Sequence, residues 1–144
     1  MLTFDEKART IIADAFATVI EREKLTCWAC AVMPDHAHIL IRKHKLLAEE
    51  MIELFQMESA SRLRAQGGWP ANHPVWGGEG WKVFLDHPEE VKRAIVYIEC
   101  NPDPYRLPQQ IYPFVKLYDN WPLHEGHSPN SPYAKALRAV GRYP

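Results

Sequence analysis

Apolar residues recur at helical spacing at Ala8, Ile12, Phe16, Val19 and Ile20, behind Thr3 and Glu6 in capping-box relation, which predicts a first helix from about Phe4 to Glu23. The period then changes. Leu25 to Met33 is an apolar run, Pro34-Asp35 a tight turn, and His36 to Lys43 an antiparallel partner strand. Leu47, Met51, Leu54 and Phe55 restore helical spacing, and this second helix extends to Leu63 before Gly67-Gly68 stop it. After a loop rich in Trp, Gly and Pro, Trp81 to Leu85 reads as a short third strand. Pro88, Glu89 and Glu90 suit the first turn of a further helix, whose buried stripe is Val91, Ala94, Ile95 and Ile98 and which Pro102 ends. The remainder, 103–144, carries many prolines and aromatics and is expected to wrap over the same domain, with a short helix near Tyr133 to Val140.

The strand Val32-Met33-Pro34-Asp35-His36-Ala37-His38-Ile39-Leu40-Ile41 carries the strongest chemical signal. Strand side chains alternate, so His36, His38 and Leu40 share one face while Ala37, Ile39 and Ile41 share the other. Two neutral imidazoles on one face are good ligands for a divalent ion, but two ligands do not complete a site. Asp35 sets the turn and is placed to orient a histidine by hydrogen bonding. On the third helix, Tyr97 lies off the apolar stripe and on the flank of Asn101, one turn away. Such a pair can be a nucleophile beside a carboxamide metal ligand. Taken alone, the helix reads better as carrying a boundary tyrosine and a helix-terminal Asn before proline.

Composition narrows the setting. The 144 residues, 47% of them hydrophobic, suffice for one domain with a real core. No apolar run approaches the roughly 20 residues of a membrane span, and no export segment is evident, so a cytoplasmic chain without a membrane partner is expected. Three cysteines suit a reducing compartment better than a disulfide framework. The net charge of −1 argues against strong nonspecific phosphate binding. Candidate DNA contacts are therefore local: Arg42, Lys43 and Lys45 after the histidine strand, and Arg62 and Arg64 on the second helix, each of which also reads as solvated surface charge.

VMPDHAHILI, then a helix, then VWGGEGWKVFLDHPEEVKRAIVYIECNP resembles the single-tyrosine HUH transposases, in particular their REP-associated tyrosine transposase branch. The paired motifs, Met-Pro-Asp before His-x-His and Tyr-Ile-x-x-Asn-Pro on a later helix, cover roughly Leu25 to Pro102. The resemblance implies an α+β, ferredoxin-like (RRM-like) antiparallel sheet with helices on one face, its first strand missing here, in a catalytic domain over 1–102 with a tail over 103–144. It implies His36, His38 and Asn101 as ligands of Mg²⁺ or Mn²⁺ and Tyr97 as the nucleophile. The activity would be nicking and rejoining of single-stranded DNA at hairpin-associated sites through a 5′-phosphotyrosyl intermediate. A sheet lacking a strand leaves backbone groups that a second copy can satisfy, so a homodimer is expected.

A DNA-binding protein of the same fold without catalysis, and a metal-dependent phosphoesterase in which Tyr97 is only structural, are the alternatives. Other constellations are weaker. Cys27-Trp28-Ala29-Cys30 lies on a strand, where regular alternation puts the sulfurs on opposite faces. Trp69, Trp76, Trp81 and Trp121 can stack on unpaired bases or underlie loops as satellite core. His73, His87, His124 and His127 read as surface residues.

Overall fold

The first helix, α1 (Glu6–Glu23), begins where the Asp5 carboxylate accepts a hydrogen bond of 2.8 Å from the Ala8 N–H in the computed structural model, which describes residues 2–78, 80, 82–85 and 87–120. The cap is thus Asp5, two residues beyond the predicted Thr3; a carboxylate satisfies the free amide and also sits at the positive end of the helix dipole. Lys24 closes the helix in the left-handed region at φ 55°. Strand β1 (Cys27–Val32) follows and pairs antiparallel with β2 (Ala37–Ile41). Their Pro34-Asp35 turn is closed by the Met33 N–H donating to the His36 carbonyl at 2.7 Å.

Helix α2 (Ala48–Gln66) starts with the Glu50 carboxylate accepting from the Leu47 N–H at 2.9 Å and stops at Gly67, whose N–H reaches the Leu63 carbonyl. It lies against α1 through Phe16 and Phe55, whose rings meet edge to face at 5.1 Å. Arg22 to Glu58 at 2.9 Å and Arg62 to the Thr18 hydroxyl bind the outer seam. The buried Ser59 hydroxyl donates to the Phe55 carbonyl and accepts from the Trp76 indole at 2.9 Å, so Trp76 is satellite core, as is the partly buried Trp69 against Phe4. Helix α3 (Pro88–Cys100) and a 3₁₀ turn (Asp103–Tyr105) complete the regular elements.

The class is α+β: a two-stranded antiparallel sheet with three helices, compatible with a ferredoxin-like fold that lacks a strand. Helices α1 and α2 cover one sheet face through Cys30, Val32, Ile39 and Ile41. Helix α3 covers part of the other through Val91, Ile95 and Ile98, which pack on Trp28, Ala29, Ala31, Met33 and Leu40. Helix α3 thus also covers part of the histidine face, which helices on one face alone would leave open.

Two local predictions fail for identifiable reasons. A bulge interrupts the register between Cys27 and Ala29, so Cys27 and Cys30 both enter the core beneath α1 rather than opposite faces. Residues 82–85 form no strand; Val83 and Phe84 are 75% and 72% exposed, and no edge among the described residues pairs with them. Trp81, Trp121, His124, His127 and the helix expected near Tyr133 to Val140 lie outside the described residues.

The two sheet edges differ. Along β1, the Gln110 carboxamide accepts from the Val32 N–H and donates to the Val32 carbonyl, each at 2.7 Å, and the Lys116 N–H reaches the Cys27 carbonyl at 2.8 Å. Segment 110–118, part of the expected tail, thus closes that edge, and Tyr118 packs on Trp28 at 4.6 Å. The outer edge of β2 has no such cover among the described residues.

Candidate active site

The turn and the strand period set the histidines. His36 ends the turn and His38 lies within β2, both on the side of α3, with their rings edge to face at 4.9 Å. The Asp35 carboxylate holds His36 Nδ1 at 2.6 Å. A carboxylate can only accept, so in the neutral ring Nδ1 carries the proton and Nε2 presents its lone pair. Burial, reinforced by the neighbouring His36, holds the pKa of His38 below the usual imidazole value and favours its neutral, ligating form.

Docking of Val91, Ile95 and Ile98 fixes the rotation of α3, and with it the neighbours of those residues. Tyr97, 61% exposed, brings its ring to 5.6 Å from that of His38, edge to face. One turn on, Asn101 is the C-terminal cap of α3, held from behind by the fully buried Pro102. Its Oδ1 is buried and has no hydrogen-bond partner among the described residues. A buried carboxamide oxygen without a donor costs about 1–3 kcal/mol, so this atom calls for a cation or donor. Beyond Pro102 the 3₁₀ turn carries Tyr105, whose ring is 6.2 Å from that of His36.

The structure thus gathers His36, His38 and Tyr97 into ring contact and places Asn101 one turn beyond Tyr97. It does not bring Arg62 or Arg64 to them. Arg62 is engaged by Glu58 at 3.2 Å and by Thr18 in the α1/α2 layer across the sheet, and Arg64 donates to the His73 carbonyl at 3.2 Å. Arg42, at the end of β2, lies 3.7 Å from Asp119, while Lys43 and Lys45 are exposed beyond it. Tyr105 is the residue that periodicity did not place, because it follows the end of the helix and reaches the site through a turn. Its flanking prolines, Pro102 and Pro104, were the available signal.

The thiols are not part of this centre. Burial pushes the Cys27 thiol up to about 12 and the Cys30 thiol well above its usual value, so neither is a nucleophile at neutral pH. Among the described residues no three His, Cys, Asp or Glu side chains are grouped to hold a metal ion. A site with three protein donors at the histidines would need a donor of another type, and the carboxamide of Asn101 is one.

The family model for IS200-like transposases matches residues 2–85, more than half of the chain. The chain belongs to this family. Its general function is accordingly transposition, a DNA recombination process carried out by a DNA-cleaving transferase, and the single-tyrosine HUH assignment stands. The matched span contains the histidine strand and stops before α3, so Tyr97 and Asn101 rest on geometry and motif. Searches of curated proteins and of solved structures found no match. No helix among the described residues is long and apolar enough to cross a membrane.

Proposed function

We propose that this transposase nicks and rejoins single-stranded DNA at hairpin-associated sites, with Tyr97 as the nucleophile and a divalent ion, Mg²⁺ or Mn²⁺, held by His36, His38 and Asn101. The observation that carries the reading is the approach of the Tyr97 ring to that of His38, with Asn101 one helical turn further on and its Oδ1 buried without a hydrogen-bond partner among the described residues. The carboxamide oxygen, with a phosphate substrate, suits a hard ion, and the two imidazoles, that of His36 oriented by Asp35, complete the donor set. A bound ion would polarise a phosphoryl oxygen and offset the charge that repels a nucleophile.

The chain's own residues do the rest. Tyr97 Oη forms a bond to phosphorus in line with the bond that breaks, and the 3′-oxygen of the upstream nucleotide leaves. The phenol gives up a proton and the departing oxygen takes one up, so no proton is consumed. The product is a 5′-phosphotyrosyl enzyme and a free 3′-OH; the ester energy is retained, and attack by a 3′-OH reverses the step without ATP. The uncovered β2 edge supports a homodimer, and the Tyr-Ile-x-x-Asn-Pro helix supports placement in the REP-associated branch.

Incubation with a pool of single-stranded hairpins and Mn²⁺ should yield a covalent protein–DNA band. Tyr97→Phe should lose the band while hairpin affinity stays within about twofold. His36→Ala and His38→Ala should lose ion binding and the band together. A band from Tyr97→Phe would move the nucleophile elsewhere. Hairpin binding with no band, or no divalent ion bound in calorimetry, would leave a DNA-binding protein that does not cleave.

A further inference from the structure

Each histidine meets a different phenol. Tyr97 stands at His38, and Tyr105, 43% exposed, stands at His36 with its ring inclined by 57° at 6.2 Å. Tyr105 is held by a rigid mount: its N–H donates to the Pro102 carbonyl at 3.1 Å, and Pro102 is fully buried. The next residue, Arg106, adopts the left-handed region at φ 56°, a conformation that favours glycine. Its side chain is exposed, and its guanidinium makes no hydrogen bond or ion pair with another described residue. The left-handed Arg106 closes the 3₁₀ turn as Lys24 closes α1, and this fixes an exposed charge, unpaired among the described residues, directly after the exposed ring at the histidine pair.

The geometry points to Tyr105 and Arg106 as a clamp for the unpaired nucleotide on the leaving side of the scissile phosphate, the base stacking on Tyr105 and the backbone phosphate pairing with Arg106. This rests on the strand-transfer reading above. In-line displacement requires the leaving oxygen to depart on the side opposite the attacking phenol. With Tyr97 attacking from the end marked by His38, the departing 3′-nucleotide lies toward the end marked by His36, where Tyr105 stands. An exposed aromatic ring with an adjacent guanidinium is the combination that holds unpaired bases and their phosphates without reading sequence. Holding that nucleotide also keeps its 3′-OH in place for rejoining.

The full-length chain titrated with fluorescein-labelled dT15 tests the clamp without requiring cleavage. Tyr105→Ala should weaken binding roughly tenfold, while Tyr105→Phe, which keeps the ring and loses the hydroxyl, should stay within about twofold of wild type. Arg106→Gly should raise the thermal unfolding midpoint, because it relieves the left-handed arginine, yet weaken binding and lower the salt slope by about 0.7; Arg106→Lys should retain most of the affinity. In the adduct assay, removing the base immediately 5′ of the scissile phosphate should raise the wild-type KM and leave that of Tyr105→Ala unchanged. Equal binding by wild type and Tyr105→Ala, or no wild-type binding to dT15, overturns the clamp. If wild type forms the adduct and Tyr105→Ala matches it, the clamp alone fails. If the variants lose dT15 binding but wild type forms no adduct, strand transfer fails and the leaving-side placement with it, and what stands is a single-strand contact at Tyr105 and Arg106.

Discussion

Ligand readiness in this chain is set by single contacts. Asp35 determines which nitrogen of His36 faces outward, and partial burial beside His36 determines that His38 is neutral. The second effect has a consequence for stability. His38 binds a proton more weakly in the folded chain than in the unfolded one, so below the usual pKa of 6.5 the unfolded state takes up more protons. Stability should therefore be at its full value above about pH 6.5, fall as pH drops through that value, and level off once the folded imidazole is also protonated. Urea denaturation of the metal-free chain between pH 7.5 and 5 should show this slope, and His38→Gln should flatten it. Identical slopes in the two proteins would show that His38 is not protected from protonation. The shared side of His36 and His38 and the placing of Tyr97 and Asn101 off the apolar stripe were legible because two periods, alternation in the strand and about 100° per residue in the helix, fix direction without knowledge of packing. Tyr105 was not, because no period extends through a 3₁₀ turn.

Elements followed the hydrophobic pattern closely where the chain is periodic and less well where it is interrupted. The extents of α1 and α2 and the β1/β2 hairpin matched expectation because each has an uninterrupted apolar series and a local stop signal, Lys24 in the left-handed region or Gly67. The bulge at Cys27/Ala29 shifted the cysteines, and no single-residue signal marks it, since Trp28 and Ala29 both suit a buried strand. Segment 82–85 has strand-like residues, but a strand needs a partner edge, which composition cannot supply. The cap of α1 is Asp5, where the sequence pattern pointed to Thr3. Asp5→Ala removes the bond to the Ala8 N–H and should destabilise the fold by about 1 kcal/mol in chemical denaturation, whereas Thr3→Ala should change it by less than about 0.5 kcal/mol. The reverse order would restore Thr3 as the cap.

Across the whole molecule, a net charge of −1 supplies no general field for a polyanion, so the DNA binding we propose would rely on local contacts. The fold leaves one sheet edge closed and, among the described residues, one open. Because Met33 pairs with His36, the alternation of antiparallel bonding turns the backbone of His38 and Leu40 toward β1 and that of Ala37, Ile39 and Ile41 toward the outside. The same alternation turns Val32 outward on the other edge, where Gln110 meets it. An unpaired edge beside the proposed active site is where a second copy would add a strand in the homodimer we propose. Sedimentation velocity should then show a shift from monomer to dimer as concentration rises. Hydrogen exchange places the contact. The amides of Ile39 and Ile41 should gain protection as the dimer forms, while the Val32 amide, already bonded to Gln110 within one chain, should be protected equally at every concentration. A monomer at the highest concentration reached would overturn the homodimer. A dimer in which Ile39 and Ile41 exchange as fast as in the monomer would place the interface away from β2.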